Sequence, residues 1–244
     1  MELSVVVPVL NEAGNIEPLL QEIYAVLEGQ ANFEVVYVDD GSTDVTPREL
    51  EVAKSRYPRL CVITHRQRYG QSMALRSGIK VAQGKWIATL DGDGQNDPGD
   101  IPRLLEIARG AMSRGTTILV AGYRRKRQDS WIRRLSSRVA NGVRSRLLGD
   151  ATPDSACGLK VFARDIYLDM PYFDHMHRFF PALTQRVGGT VISAEVNHRS
   201  RRRGCSKYGT IDRLFVGIVD LFGVMWLQRR ATRPTYCRKG DALE

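Results

Sequence analysis

Cysteine is scarce in this chain, acidic residues are outnumbered, and no apolar run is long. The four cysteines stand far apart, at 61, 157, 205 and 237, with no C-x-x-C pair. That spacing excludes a disulfide framework and a zinc module, and it reads as reduced thiols in a cytosolic compartment. The longest apolar candidate, Leu214 to Leu227, is interrupted by Asp220 and falls short of the about 20 residues that span a bilayer. The first residues, Met1-Glu2-Leu3-Ser4-Val5-Val6-Val7-Pro8, start a strand with no basic stretch before them, so a signal peptide is not expected. No internal repeat or low-complexity linker occurs. Acids number 27 against 36 lysines and arginines, giving a net charge of +9 and a pI near 9.6. Such a balance calls for an anionic partner: nucleic acid, nucleotide, phosphorylated substrate or acidic membrane face. No helix-turn-helix, RNA-binding aromatic signature or zinc module is present, which argues against nucleic acid.

What is there begins with 244 residues of ordinary apolar content, 43%, enough for one large α/β domain or two small ones. β-Branched runs predict strands at Leu3–Val7, Phe33–Val38, Arg59–Thr64, Lys85–Leu90 and Ile118–Gly122, with later ones around Val161-Phe162 and Val191–Val196. Helical spacing predicts helices over Ile16 to Leu27, Met73 to Ala82 and Ile101 to Ala111. This alternation predicts an α/β fold, a mostly parallel central sheet with helices on both faces. Ligands in such sheets bind beyond the carboxyl ends of the strands.

Those strand exits are polar: Pro8 to Asn11-Glu12, then Asp39-Asp40-Gly41-Ser42, then Asp91-Gly92-Asp93 followed by Gln95. Two carboxylates delivered to one point suit a hard divalent cation and its diphosphate, because Mg²⁺ takes one or two carboxylates plus phosphate oxygens. The glycine between them is expected to let a ligand approach the backbone. The bland reading is a polar turn. Beyond the fifth strand, residues 124 to 146 carry nine arginines and lysines against one acid, Asp129, with Trp131, Ile132, Leu135 and Val139 interleaved at helical spacing. That pattern fits an amphipathic helix on an anionic membrane surface, against the default of a solvated charged face. A second basic cluster holds Arg199, Arg201, Arg202, Arg203 and Lys207. For Leu214 to Leu227 a surface helix and a buried core helix stand as equal readings. His175 and His177 form a His-x-His pair without a placed third ligand, read as a loop near an acceptor entrance.

The ordered series Val5-Val6-Val7-Pro8-Val9-Leu10-Asn11-Glu12, Val38 to Asp44, Gly70 to Gly78, Leu90 to Gln95, Ala121-Gly122-Tyr123-Arg124 and Arg203 to Gly209 resembles the family 2 glycosyltransferases of the GT-A fold. Within them it is similar to the dolichyl-phosphate mannose synthase and polyprenyl-phosphate glycosyltransferase branch. The resemblance covers roughly residues 1 to 230. It implies a GT-A catalytic domain over 1–210 containing the basic interface segment 124–148, an amphipathic helix over 211–230 and a loose tail over 231–244. It implies that Pro8, Leu10, Glu12 and Asp40 line the base and ribose pocket, and that Asp91, Asp93 and Gln95 hold Mg²⁺ or Mn²⁺ on the donor diphosphate. Arg124, Arg134, Ser137 and Arg203 would receive the lipid phosphate or the leaving diphosphate, with Lys207 closing over the donor and Asp154 at the family's acidic position near the acceptor. The chain departs from its relatives at Gly158-Leu159-Lys160, where Gly-Phe-Arg or Asp-Phe-Arg is common.

The implied reaction moves a sugar from a nucleotide-diphosphate sugar to a polyprenyl phosphate at the cytoplasmic membrane face, with inversion. A lipid monophosphate is largely ionised at neutral pH, since its second pKa is about 6, and needs guanidinium groups more than a general base. Peripheral attachment to an anionic membrane surface, or a separate membrane protein, is the expected anchor; nucleic acid is not an expected partner. The alternatives are transfer to a hydroxyl of a glycan or glycolipid, a non-catalytic nucleotide-sugar binder, and a nucleotidyltransferase. The last lacks its usual basic glycine-rich loop, since Pro8 to Gly14 carries Glu12 and no lysine or arginine.

Overall fold

The structure is a computed structural model, and it describes residues 1–112, 117–124, 142, 144–150, 152–200 and 210–232, with backbone alone over 210–215. Strands β1 (Leu3–Val9), β2 (Phe33–Asp39), β3 (Leu60–Thr64) and β4 (Trp86–Thr89) alternate with helices α1 (Ile16–Leu27), α2 (Thr46–Arg56) and α3 (Gln71–Val81). A 3-10 turn (Pro98–Asp100) leads into α4 (Ile101–Met112) and β5 (Ile118–Arg124). Then come β6 (Lys160–Ala163), α5 (Arg164–Leu168), a 3-10 turn (Met176–Phe179), α6 (Phe180–Arg186), β7 (Thr190–Val196) and α7 (Thr210–Arg229).

The seven strands form one sheet in the order β3-β2-β1-β4-β6-β5-β7. All run parallel except β6, which is antiparallel to both its neighbours, β4 and β5. Burial follows position in that order. Every residue of β2 and β4 is buried, whereas the edge strands β3 and β7 expose part of each face. Central strands covered by helices on both sides can be continuous apolar runs, and Val5-Val6-Val7 is one. Helix α1 turns Ile16, Leu19, Leu20, Ile23 and Leu27 onto the sheet, at the spacing its sequence predicts. Helix α2 has no counterpart in the sequence reading, because only Thr46, Leu50 and Ala53 of it are buried, too narrow a stripe to raise a periodic signal.

The antiparallel β6 decides the function of the edge. Thr89 at the end of β4 pairs with Lys160 at the start of β6, and Ala121 of β5 pairs with the same residue. The segment entering β6, including Asp154 and Gly158, is therefore brought to the edge where the other six strands end.

Helix α7 has one face in the core and the other exposed. Val224 is fully buried, Leu221 and Met225 pack on the core, Arg186 Nε of α6 donates to the Leu227 carbonyl, and Gln228 Nε2 donates to the Leu148 carbonyl. The opposite face exposes Val216, Ile218, Val219, Phe222 and Trp226. No helix among the described residues is long and apolar enough to cross a membrane. The segment 125–141 and the tail from 233 onward lie outside the described residues.

The rings of His175 and His177 are not a metal pair, since they face different partners. His175 Nδ1 lies 3.2 Å from Asp220 of α7, and His177 Nδ1 lies 2.7 Å from Ser72 Oγ at the start of α3. Removal from solvent, then the positive charges of Arg178, Lys160 and His175, push the His177 pKa down to about 3. The folded ring stays neutral while the unfolded one takes a proton below its ordinary value of about 6.5. The unfolded chain thus binds more protons between pH 6.5 and 3, and stability falls as pH drops through that window, by at most about 1.4 kcal/mol per pH unit. Urea midpoints at pH 7 and pH 5 are expected to differ less in His177→Asn than in the parent chain; an unchanged difference would refute this account of His177.

Candidate active site

Loops leaving β1 and β2 are laced together before any ligand is considered. Asn11, at a left-handed φ of 51°, donates its N–H to Ser42 Oγ and accepts from the Thr43 N–H at 2.7 Å. The Glu12 N–H reaches Thr46 Oγ1 at 2.9 Å, and the Gly14 N–H reaches the Glu49 carboxylate. Pro8, Leu10 and Glu12 thus line a rigid shelf at the end of the central strand, each partly exposed. Asp40 is buried and binds the loop after β3 through both oxygens. It accepts from the Tyr69 and Gly70 N–H groups at 2.8 and 2.7 Å, and pairs with His65 Nδ1 at 2.8 Å. It thereby anchors His65, Tyr69 and Gly70 at the end of β2.

Asp91 and Asp93 follow β4, next to β1 in the sheet. The intervening Gly92 is required by its closeness to β1: a Cβ there would meet Val9 Cγ1 at 2.5 Å and the Pro8 carbonyl at 3.1 Å. Asp93 is buried and accepts from the Gln95 N–H at 3.1 Å. The Asp91 N–H is held by Asn96 Oδ1, also at 3.1 Å, and the Asp91 carboxylate accepts from Gln71 Nε2 at 2.9 Å. Burial, then the charge of Asp93, pushes the Asp91 pKa up to about 6.

Two cationic groups, Lys160 and Arg124, act on this acidic pair, and a third, Arg144, lies near Asp154. Lys160 is buried, donates to the Cys157 carbonyl and lies over the Phe180 ring; burial holds its pKa below the ordinary lysine value, while Asp91 and Asp154 favour its charge. Arg124, at the end of β5, makes a two-pronged contact with Asp154: Nε to Oδ2 at 2.6 Å and Nη2 to Oδ1 at 3.0 Å. Burial opposes the Arg124 charge, yet Asp154 outweighs it and the guanidinium pKa lies above its usual value. Arg144 is buried against Asp150, at 3.1 Å. The first two act on Asp91 directly, so acids and bases share one edge.

The residues present fit a divalent cation. Among the described residues no group of three or more His, Cys, Asp or Glu side chains is placed to hold a metal. A cation here would take the Asp91 and Asp93 carboxylates and the Gln95 amide, and complete its shell with diphosphate oxygens and water. The raised Asp91 supports that fit, because a second positive charge relieves the repulsion that raises it. Gln71 and Lys160 were not singled out from sequence. Gln71 had one available signal, its place directly after Gly70 at the start of a helix beside the site; Lys160 had one in the departure at Gly158-Leu159-Lys160. Arg134, Ser137, Arg203 and Lys207 lie outside the described residues.

Gly158 lets the segment entering β6 lie against Asp91. A Cβ on it would fall inside the Asp91 carboxylate, which Gln71 holds from the other side. Gly158→Ala is expected to leave the melting temperature within a few degrees of the parent while weakening Mn²⁺ binding about tenfold or more, read by calorimetric titration; unaltered Mn²⁺ affinity would contradict this placement of Asp91.

Comparison with known proteins agrees with the geometry. The model of the family described as glycosyl transferase family 2 matches residues 4–170. A dodecaprenyl-phosphate galacturonate synthase of Rhizobium johnstonii is 37% identical over 242 residues, 96% of this chain and 69% of that protein. An undecaprenyl-phosphate 4-deoxy-4-formamido-L-arabinose transferase of Edwardsiella ictaluri is 35% identical, over 85% of this chain and 63% of that protein. The chain thus spans about two thirds of the length of these curated relatives. Among solved structures, glucosyl-3-phosphoglycerate synthase from Mycobacterium tuberculosis, in complex with Mn²⁺, UDP and glucosyl-3-phosphoglycerate, shares the fold with a TM-score of 0.66 at 20% identity, covering 96% of this chain and 81% of that one. With its acidic pair at the carboxyl edge of a GT-A sheet, the chain belongs to glycosyl transferase family 2.

Proposed function

We propose that this chain transfers a sugar from a nucleoside diphosphate donor to a polyprenyl phosphate, using a divalent cation held by Asp91, Asp93 and Gln95. One observation carries the reading: Arg124 and Lys160 lie within electrostatic reach of Asp91 at the same sheet edge, so cation site and phosphate-binding charge are contiguous. Relatives named for transfer to undecaprenyl and dodecaprenyl phosphate support it.

The bound cation would supply Lewis-acid stabilisation of the leaving diphosphate. The protein's own groups do the rest. Pro8, Leu10 and Glu12 hold the nucleoside on the shelf that Asp40 braces. Asp93 and Asp91 orient the donor, and Arg124 draws the acceptor phosphate toward the anomeric carbon. Asp154 keeps the Arg124 fork aimed until that phosphate arrives. By the family resemblance, Arg134, Ser137 and Arg203 complete the acceptor phosphate site and Lys207 covers the donor. The acceptor oxygen is already ionised, so no base is required, and single displacement inverts the sugar. Transfer to a hydroxyl would need a general base. Asp154, committed to Arg124 by two hydrogen bonds, is poorly placed to be one, which favours the phosphate acceptor.

The exposed apolar face of α7 supports peripheral attachment, with Arg229 and Arg230 near its end and a positively charged chain attracted to the anionic cytoplasmic leaflet.

Two measurements test these readings. Incubated with radiolabelled nucleotide sugars, Mn²⁺ and polyprenyl phosphate, the parent chain is expected to move label into the organic phase. Asp93→Ala should lower that rate at least about 100-fold with its fold intact; label that never leaves the aqueous phase for any sugar would refute the acceptor. Separately, Phe222→Asp with Trp226→Asp should weaken sedimentation with anionic vesicles about tenfold or more, since each buried aromatic contributes about 1.5–3 kcal/mol. Equal sedimentation would remove α7 from the membrane contact.

A further inference from the structure

Arg199, which opens the second basic cluster, is engaged by two carboxylates of the protein. Beyond β7 the chain runs back across the loop that carries Asp93 and Gln95. The Arg199 N–H donates to the Gln95 carbonyl at 3.0 Å, Asn96 and His198 form an antiparallel bridge, and the Asn197 N–H reaches Asp100 Oδ2 at 2.7 Å. The Arg199 guanidinium then forks. Nη1 lies 2.6 Å from Glu22 Oε2 on α1, and Nη2 lies 2.6 Å from Asp97 Oδ1 in the loop itself. The same Asp97 oxygen accepts from the Gly99 N–H at 2.9 Å and so caps the turn that starts α4.

We infer that Arg199 is a positioning residue for the cation site, clamping the strip after β7 across the metal loop and thereby setting Gln95 and Asp93. The path is short and continuous. Arg199 holds the Gln95 carbonyl, and the Gln95 N–H holds the Asp93 carboxylate. Asn96, the next residue, holds the Asp91 N–H. A lone pair of bridging residues is too small a ladder to keep its register in water, and the fork supplies what the ladder lacks, because it ties the strip to two elements at once. Lysine carries its donors on a single nitrogen and lacks the planar fork that here spans the two carboxylates.

This inference rests on the cation reading of Asp91 and Asp93 but not on the identity of the acceptor. It is tested on the full chain by titrating Mn²⁺ in the presence of UDP or GDP, following free Mn²⁺ by electron paramagnetic resonance, alongside melting temperature and the KM for polyprenyl phosphate. Arg199→Ala is expected to weaken Mn²⁺ binding about five- to tenfold with acceptor KM unchanged. Arg199→Lys should restore part of the loss, and Glu22→Gln should weaken binding about two- to threefold. In the Asp97→Asn background, Arg199→Ala should cost less than it does alone, since the Asp97 arm is already lost and only the Glu22 arm remains to be removed. Additive losses, or parent-like Mn²⁺ affinity in both Arg199→Ala and Glu22→Gln, overturn the clamp. Should Arg199→Ala fail to fold, Glu22→Gln decides alone. A parent chain that binds no Mn²⁺ overturns the cation reading itself, and the clamp with it.

Discussion

Two carboxylates held side by side where water is partly excluded create the constraint around which this molecule is organised. Asp91 and Asp93 repel each other, and burial magnifies the repulsion, as the raised Asp91 pKa records. Charges in such a place must be compensated. Gln71 donates to Asp91, Lys160 is buried beside it, and Arg124 approaches from β5, on the far side of β6. What compensation the protein leaves incomplete is what a divalent cation and its diphosphate can complete.

Topology makes that compensation possible. A wholly parallel sheet of this order would place the start of β6, with Asp154, Gly158 and Lys160, at the far edge. Reversing this one strand puts them beside the exits of β4 and β5. Two sequence segments about 60 residues apart, Asp91 to Asp93 and Asp154 to Lys160, then share one small volume. Gly92 and Gly158 permit that closeness, the first against β1 and the second against Asp91. The strip after β7 ties the loop that follows Asp93 to α1 through Arg199.

Helix α7 joins this centre to the surface. Its Asp220 faces His175, two residues before the His177 that contacts Ser72 at the start of α3. A helix with Val224 in the core and Phe222 and Trp226 in solvent is held firmly on one side and left unsatisfied on the other. That asymmetry is the observation behind the proposed membrane contact.

Much of this was legible in the chain. The Val-rich central strands, the 3.6-residue pattern of α1 and the polar exits at Asn11, Asp40 and Asp91 announce a parallel sheet with a site at its carboxyl edge, because burial on both faces demands apolar runs and only the ends are free to be polar. Helix α2 was illegible, since three small contacts suffice to seat it. The sequence by itself determined the sheet-forming segments, the excess of positive charge and the acidic pair, which depend on composition and near neighbours. The tertiary structure alone decided that Gly92 serves strand β1, that Lys160 and Gln71 attend Asp91, that Arg124 is aimed by Asp154, and that α7 is half core and half surface. Each of these turns on strand direction and on contacts between residues distant in the chain, which no local pattern encodes.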